Sequence, residues 1–133
     1  MAPTVLIADD DGVSRKLLRR LLEQEGYAVR AAADGVEALE LFAAEPIDIV
    51  LLDIVMPGLD GIAATAALLA RHPALRVVLV SVHEDPALAE RGYAAGALGY
   101  VSKQHAGHEL VPAVRAALRG ERYLSPHIRR LDA

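Results

Sequence analysis

Cysteine is absent from the 133 residues of this chain. Its absence excludes disulfide bonds and zinc sites with cysteine ligands, and it is compatible with a reducing compartment. Aromatic residues are few, with one phenylalanine, four tyrosines and no tryptophan, which argues against a surface that stacks nucleic-acid bases or a flavin. No apolar run approaches the roughly 18 residues of a membrane span, and the N-terminus lacks a basic signal segment, so we expect a cytoplasmic protein without membrane contact.

Positive charge is in the minority, with 14 basic against 18 acidic residues and a formal net charge of −4. Nucleic-acid binders carry a basic footprint, so we expect no direct nucleic-acid binding by this segment. Among the 14 basic residues only two are lysines, Lys16 and Lys103. A compact ammonium in a sequence that otherwise prefers arginine indicates a specific use for it.

Short apolar segments alternate with amphipathic segments along residues 4–119. The clearest is residues 47–52, a nearly unbroken apolar run typical of a strand buried on both faces of a parallel sheet. Five strands followed by helices predict an α/β fold, a doubly wound (βα)5 parallel sheet in the strand order 2-1-3-4-5. We assign residues 1–120 to this domain and expect residues 121–133 to be a linker or a short C-terminal helix.

Polar residues follow four of the predicted strands at the point where each strand ends. They are Asp9 and Asp10 after the first strand, Asp53 after the third, Ser81 after the fourth and Lys103 after the fifth. These strands are neighbours in the predicted order, so the side chains should meet at one edge of the sheet. Clustered carboxylates repel one another, and Mg²⁺ relieves that repulsion through oxygen ligands. If Mg²⁺, Lys103 and Ser81 bind the oxygens of a phosphoryl group, Asp53 can act as the nucleophile that accepts this group.

Four segments of the chain, in this order and spacing, resemble the receiver domains of two-component response regulators. They are residues 5–10, 52–61, 80–81 and 96–103. The resemblance covers residues 4 to about 119 and implies a CheY-like, flavodoxin-like fold. It implies that Asp53 accepts phosphate from a histidine kinase, that Asp10, Asp53 and the Val55 carbonyl bind Mg²⁺, and that Asp9 acts through water. It also implies a phosphoacceptor rather than an enzyme, with at most slow autodephosphorylation.

The resemblance further implies a conformational switch. Ser81 would move toward the phosphoryl group and Tyr100 would turn into the space that opens, so that one of two packings is favoured by the added charge. Output, and a possible homodimer contact, would use the face made by the fourth helix, the fifth strand and the fifth helix. Residues 81–85 and 120–126 resemble the NarL/FixJ-type subfamily, in which a DNA-binding helix-turn-helix domain that regulates transcription follows the receiver.

The sequence departs from the receiver pattern at two positions, and two alternative functions stay open. Gln104 stands where many receivers have proline, so a cis peptide bond after Lys103 is in doubt. Val82 is bulkier than the usual neighbour of the hydroxyl residue and is expected to border the phosphoryl entrance. The chain could be a stand-alone response regulator. The segment from Asp9 to Gly12 also resembles haloacid-dehalogenase-type phosphatases, in which Asp9 would be the nucleophile. Those phosphatases are longer chains, which makes this alternative the less favoured of the two.

Overall fold

In the described residues, five strands of four to six residues alternate with five α-helices, as the apolar pattern predicts. The computed structural model describes residues 2–56, 59–126 and 128. The helices are α1 (Gly12–Gln24), α2 (Gly35–Ala44), α3 (Gly61–Arg71), α4 (Pro86–Ala94) and α5 (Ala106–Leu118), with a 3-10 turn at Lys103–His105. The strands are β1 (Thr4–Ala8), β2 (Ala28–Ala32), β3 (Ile49–Asp53), β4 (Val55–Met56), β5 (Leu59–Asp60), β6 (Arg76–Ser81), β7 (Gly99–Ser102) and β8 (Tyr123–Leu124).

The main sheet has the order β2-β1-β3-β6-β7-β8, and every pair in it is parallel. The predicted order of the five long strands is confirmed. The predicted number of strands is wrong, because the main sheet has six strands in the part of the chain that the structure describes, and β4 with β5 forms a separate two-stranded ribbon. The sixth strand lies in the stretch expected to be a linker or helix. A two-residue strand leaves no periodic pattern, and it forms here because the outer edge of β7 offers unpaired backbone groups.

The sheet carries a hydrophobic core on each face. One core packs α1 and α5 against the sheet through residues such as Leu18 and Leu110, and the other packs α2, α3 and α4. All five residues of β3 are buried, as expected for a central strand covered on both faces. Among the described residues, no helix combines the length and apolarity needed to cross a bilayer.

Aspartate side chains cap the N-termini of four of the five α-helices found in the described residues. Asp11, Asp34, Asp60 and Asp85 each accept a hydrogen bond from a backbone N–H of the first turn. Such caps fix where the chain turns from strand to helix. Because Asp11 and Asp60 lie close to the ends of β1 and β3 in the chain, their caps also fix the loops that carry the polar strand ends. The peptide bond between Lys103 and Gln104 is trans, and the Gln104 N–H donates to Ser102 Oγ. Most of the helix expected after residue 125 lies outside the described residues.

Candidate functional site

The register of the sheet places the polar strand ends side by side. Ala8 of β1 pairs with Leu52 of β3, so the residues that follow them, Asp9 and Asp53, lie next to each other at the carboxyl edge. Asp53 in turn pairs with Val80 of β6, one residue before Ser81. The topology therefore gathers side chains from separate strands at one point, which is where ligands bind in open parallel sheets.

Lys103 joins two of these acids. Its Nζ lies 2.9 Å from Asp9 Oδ2 and 2.9 Å from Asp53 Oδ2. Asp9 is 0% exposed and Asp53 is 6% exposed, so both carboxylates depend on this ammonium for charge compensation. Burial by itself would lower the pKa of Lys103, but the two carboxylates outweigh burial and raise it above its ordinary value. Lys103 is therefore a fixed positive charge at the site.

Asp9 has hydrogen-bond partners at both carboxylate oxygens. Ser14 Oγ donates to Asp9 Oδ2 over 2.7 Å, and the backbone N–H of Asp11 donates to Oδ1 over 3.0 Å. Burial raises the pKa of Asp9, but the bonds from Ser14 and Asp11 together with Lys103 outweigh burial and hold the pKa below its usual value. The Arg15 guanidinium donates to the Asp9 carbonyl over 2.8 Å. Ser14 and Arg15 were not predicted as site residues, because nothing in a helical segment marks which residues reach back to the preceding strand end.

The carboxylate of Asp53 has fewer hydrogen-bond donors than that of Asp9. Its Oδ1 accepts a 3.2 Å hydrogen bond from the Val55 N–H, and its Oδ2 accepts from Lys103. Burial raises the pKa of Asp53 above its ordinary value, and the Lys103 ammonium offsets only part of that rise. The two acids thus differ in basicity, and Asp53 is the one with the more basic oxygens.

The start of α3 packs directly on the backbone that carries Asp53. A Cβ at Gly61 would lie 2.5 Å from the Asp53 carbonyl oxygen and 2.8 Å from Ile54 Cα. The Gly61 N–H donates to the Ile54 carbonyl over 2.9 Å. A residue with any side chain at position 61 would push the helix away from the strand end. Gly61 therefore belongs to the framework of the site, a role that the sequence pattern does not predict.

The carboxylates form a group that could hold a metal ion. One oxygen from each of Asp9, Asp10 and Asp53 can be chosen so that all three lie within 4.8 Å of one another, and Asp10 is exposed to solvent. Mg²⁺ prefers oxygen ligands and keeps several waters, which suits a site that is open at Asp10. The oxygens of Asp9 already accept bonds from Ser14, Asp11 and Lys103. The three carboxylates are thus a set of oxygen donors that could hold a metal ion.

The chain matches a known protein family over most of its length. A family profile of the response regulator receiver domain matches residues 5–115. The chain belongs to this family. Receiver domains of response regulators are phosphorylated by sensor kinases, and the carboxyl-edge acids and lysine lie within the matched region of this receiver.

Individual relatives support the assignment. The receiver is 40% identical over 126 residues to the response regulator GacA of Pseudomonas aeruginosa, a match that covers 93% of this chain and 59% of GacA. A crystal structure of a LuxR-family two-component response regulator from Aurantimonas sp. SI85-9A1 is 39% identical with a TM-score of 0.90, over 98% of this chain and 94% of that chain. A CheY-like receiver from Methanospirillum hungatei is 25% identical with a TM-score of 0.82, over 90% of this chain and 96% of that chain.

These relatives support the NarL/FixJ-type subfamily for this receiver. They also show that the chain spans less than two thirds of the length of GacA. The phosphatase alternative is overturned by the family match. The geometry agrees with this, because Asp9 is fully buried and its oxygens accept from three donors, Ser14, Asp11 and Lys103, against two donors for Asp53.

The predicted switch residues of the receiver share one backbone partner. Ser81 Oγ accepts from the His83 N–H over 3.0 Å, and the Tyr100 hydroxyl donates to the His83 carbonyl over 2.8 Å. Ser81 and Tyr100 are each 1% exposed, so the tyrosine ring already lies inside, and burial raises the pKa of Tyr100. Val82, predicted to border the entrance, is 57% exposed. Ser81 and Tyr100 thus both contact the loop that leads into α4.

Proposed function

We propose that Asp53 accepts a phosphoryl group from the phosphohistidine of a sensor histidine kinase, with Mg²⁺ as cofactor. The observation that carries the proposal is Asp53 itself, a nearly buried carboxylate with a raised pKa, 2.9 Å from the Lys103 ammonium and beside two further acids. In the transfer, a carboxylate oxygen of Asp53 forms a bond to phosphorus while the phosphorus–nitrogen bond of the kinase histidine breaks. The product is an acyl phosphate on Asp53.

The neighbouring residues take defined roles in this proposal. Asp10, Asp53 and the Val55 carbonyl hold Mg²⁺, and Asp9 contributes through water. Bound Mg²⁺ supplies positive charge to the phosphoryl oxygens. Lys103 supplies a second, permanent positive charge, and its bonds to Asp9 and Asp53 hold it at the site before any phosphoryl group arrives. The phosphoryl group passes from Asp53 to water by at most slow autodephosphorylation, which regenerates the carboxylate, so the domain acts as a phosphoacceptor and not as an enzyme with turnover.

Phosphorylation also sets the switch in this proposal. Ser81 moves toward the phosphoryl group and donates a hydrogen bond to it, which takes its Oγ away from the His83 N–H and lets the loop and Tyr100 repack. The signal then reaches the face formed by α4, β7 and α5, through which two receivers associate. Self-association at this face rests on the position of Tyr100 beneath it.

We propose cytoplasmic signalling as the setting, and transcription regulation as the output of the complete protein. GacA, the LuxR-family relative and this receiver share the same domain, and the matched region is 59% of GacA. A helix-turn-helix domain following the receiver would bind DNA, while the receiver itself, with its net charge of −4, would not. A stand-alone regulator is the second candidate, and sequencing the reading frame past Ala133 separates the two.

Asp53→Asn tests the proposal directly. Purified wild type, incubated with labelled acetyl phosphate and Mg²⁺, should gain a label that hydroxylamine removes, as an acyl phosphate does. Asp53→Asn should gain none, because the amide cannot form this bond. Asp34→Asn is the matched control, since Asp34 is an exposed helix cap and asparagine caps equally well. Persistent label on Asp53→Asn would overturn the assignment.

A further inference from the structure

The outer edge of β7 is occupied by the chain's own C-terminal segment, which we define as the described residues 121–126 and 128. Within it, β8 pairs with β7 in parallel, with Gly99 opposite Tyr123 and Tyr100 opposite Leu124. The Tyr123 N–H donates to the Leu98 carbonyl over 2.7 Å. An edge strand otherwise presents a row of unpaired backbone groups on which another chain can pair. The segment therefore covers the edge that a second receiver would need.

Side chains from both layers hold this segment on the edge. From α4, the Tyr93 hydroxyl donates to the Tyr123 carbonyl, and the Arg122 guanidinium lies 4.9 Å from the centre of the Tyr93 ring. From α5, Glu109 Oε1 accepts from the Tyr123 hydroxyl over 3.2 Å. Ile128 is 4% exposed and packs into the core that α4 covers. The segment thus bridges α4, β7 and α5.

The attachment is nonetheless small and incomplete. Only two residues of the segment form ladder pairs with β7. Leu124 remains 45% exposed. A cavity of about 570 Å³ lies between α4 and the segment, lined by residues that include Pro86, Tyr93, Arg122 and Ile128. Detachment would withdraw Ile128 from the core that α4 covers, but it would leave the five long strands paired with one another, as expected for a short edge strand of low local stability.

The phosphoryl site and this segment are connected through a short chain of contacts. Tyr100 pairs with Leu124 in the sheet, and the Tyr100 hydroxyl donates a hydrogen bond to the His83 carbonyl. Ser81 holds the N–H of the same His83. The loop after Ser81 leads into α4, whose Tyr93 holds the segment. A change at Ser81 therefore reaches both the strand that pairs with the segment and the helix that clamps it.

We propose that the C-terminal segment is a releasable strap that covers the α4–β7–α5 face in the resting receiver. Phosphorylation of Asp53 loosens it, and its release uncovers the β7 edge for a second copy of this chain. This inference rests on the proposed function. It adds that the α4–β7–α5 face is covered, and so cannot bind a second receiver, until the strap detaches. The occupant that replaces the strap is a second receiver pairing through the same edge.

The cysteine-free sequence allows a covalent test. A Cβ at Gly99 would lie 3.7 Å from the Tyr123 Cβ, within the range for a disulfide, and 3.4 Å from the Val78 methyl groups. The double variant Gly99→Cys/Tyr123→Cys should therefore close a disulfide when the strap is docked. The rate of closure in glutathione buffer is measured with EDTA alone and with Mg²⁺ and beryllium trifluoride, a phosphoryl analogue. Parallel samples labelled with acetyl phosphate report whether Asp53 is modified.

Closure should be efficient in the resting protein and slower by at least about fivefold with the analogue. In sedimentation with the analogue, the oxidised form should stay monomeric and the reduced form should self-associate. Tyr93→Phe, added to the same pair, should slow resting closure several-fold because one hydrogen bond to the strap is lost. Tyr27→Phe, which changes a tyrosine packed against the α1 and α5 core, should leave closure unchanged.

Each contrary outcome removes a defined part of the reasoning. If the disulfide fails to close in the resting protein, the strap is not docked and the inference falls. If Asp53 carries label but closure and sedimentation do not respond, the strap is not releasable, while the proposed phosphoacceptor function stands. If Asp53 carries no label, the proposed function and the release both fall.

Discussion

Replacing Lys103 by methionine would remove the ammonium that contacts both Asp9 and Asp53 while keeping most of the side chain's apolar volume. Each contact spans 2.9 Å, where the Coulomb attraction is about 6 kcal/mol at an effective dielectric constant of about 20. The cost of dehydrating three charges offsets much of that attraction. Breaking a buried ion pair costs roughly 3 to 5 kcal/mol, and we expect about 3 kcal/mol because the mouth of the site admits some water.

The loss should depend on pH. Burial already raises the pKa of Asp53 in the folded state, and without the ammonium the folded-state pKa of both acids rises relative to the wild type. Stability carried by a group with a raised folded pKa is present below the unfolded pKa and is lost as the pH rises through the folded pKa. The destabilisation by Lys103→Met should therefore be largest near pH 8 and smaller near pH 5. Adding Mg²⁺ should restore part of it, since the cation supplies positive charge to the same oxygens.

Urea unfolding followed by circular dichroism measures this effect. With a slope of about 2 kcal/mol/M, a loss of about 3 kcal/mol lowers the unfolding midpoint by about 1.5 M. Lys16→Met is the matched control, because Lys16 is the other lysine and is exposed on α1, so its cost should stay below about 0.5 kcal/mol. Equal costs for the two variants at pH 8, or a cost for Lys103→Met that ignores pH, would refute the electrostatic account of this site.

Three further predictions concern residues around the site and the strap. Gly61→Ala places a Cβ 2.5 Å from the Asp53 carbonyl, so urea unfolding should show a loss of about 1 to 3 kcal/mol and labelling by acetyl phosphate should slow. Ser14→Ala removes the 2.7 Å bond that helps to lower the pKa of Asp9; the stability loss, about 1.5 kcal/mol at pH 7, should shrink as the pH falls toward 3. Burial raises the pKa of Tyr93 to about 12, so Tyr93→Phe should remove a tyrosinate absorbance step near pH 12.

Control variants separate these effects from general damage. Gly107→Ala introduces a Cβ that meets nothing within 4 Å, so it should not destabilise the fold, and an equal loss would contradict the crowding argument for Gly61. Ser14→Thr keeps a hydroxyl and should recover most of the stability. Tyr93→Phe would contradict the burial argument if the absorbance step that disappears lies near pH 10, the ordinary range of an exposed phenol.

Much of the fold was predictable because its signals are local and repeated. The apolar run of β3 and the alternation of strand and helix patterns predict a parallel sheet, and the aspartate caps mark the helix starts. β8 was not predictable, since a two-residue strand has no periodicity and forms only because the edge of β7 is already in place. The correction from five strands to six follows from that edge.

The site also has residues that the sequence predicts and residues that it does not. Acids and a lysine at the ends of neighbouring parallel strands had to share one edge once the strand order was known, so Asp9, Asp10, Asp53 and Lys103 could be grouped from the sequence. Ser14 could not be added to that group, because its contact with Asp9 depends on how α1 turns back over the strand end.

The sequence by itself determined the fold class, the strand order and the acids and lysine brought to the carboxyl edge, because hydrophobic periodicity and the handedness of strand connections leave few arrangements. Only the tertiary structure decided the distances: the shared 2.9 Å contacts of Lys103, the tight approach of Gly61 to the Asp53 backbone, and the strap clamped by Tyr93. Those features depend on how elements far apart in the chain pack together, and side-chain reach and backbone clearance of that kind leave no pattern in the order of residues.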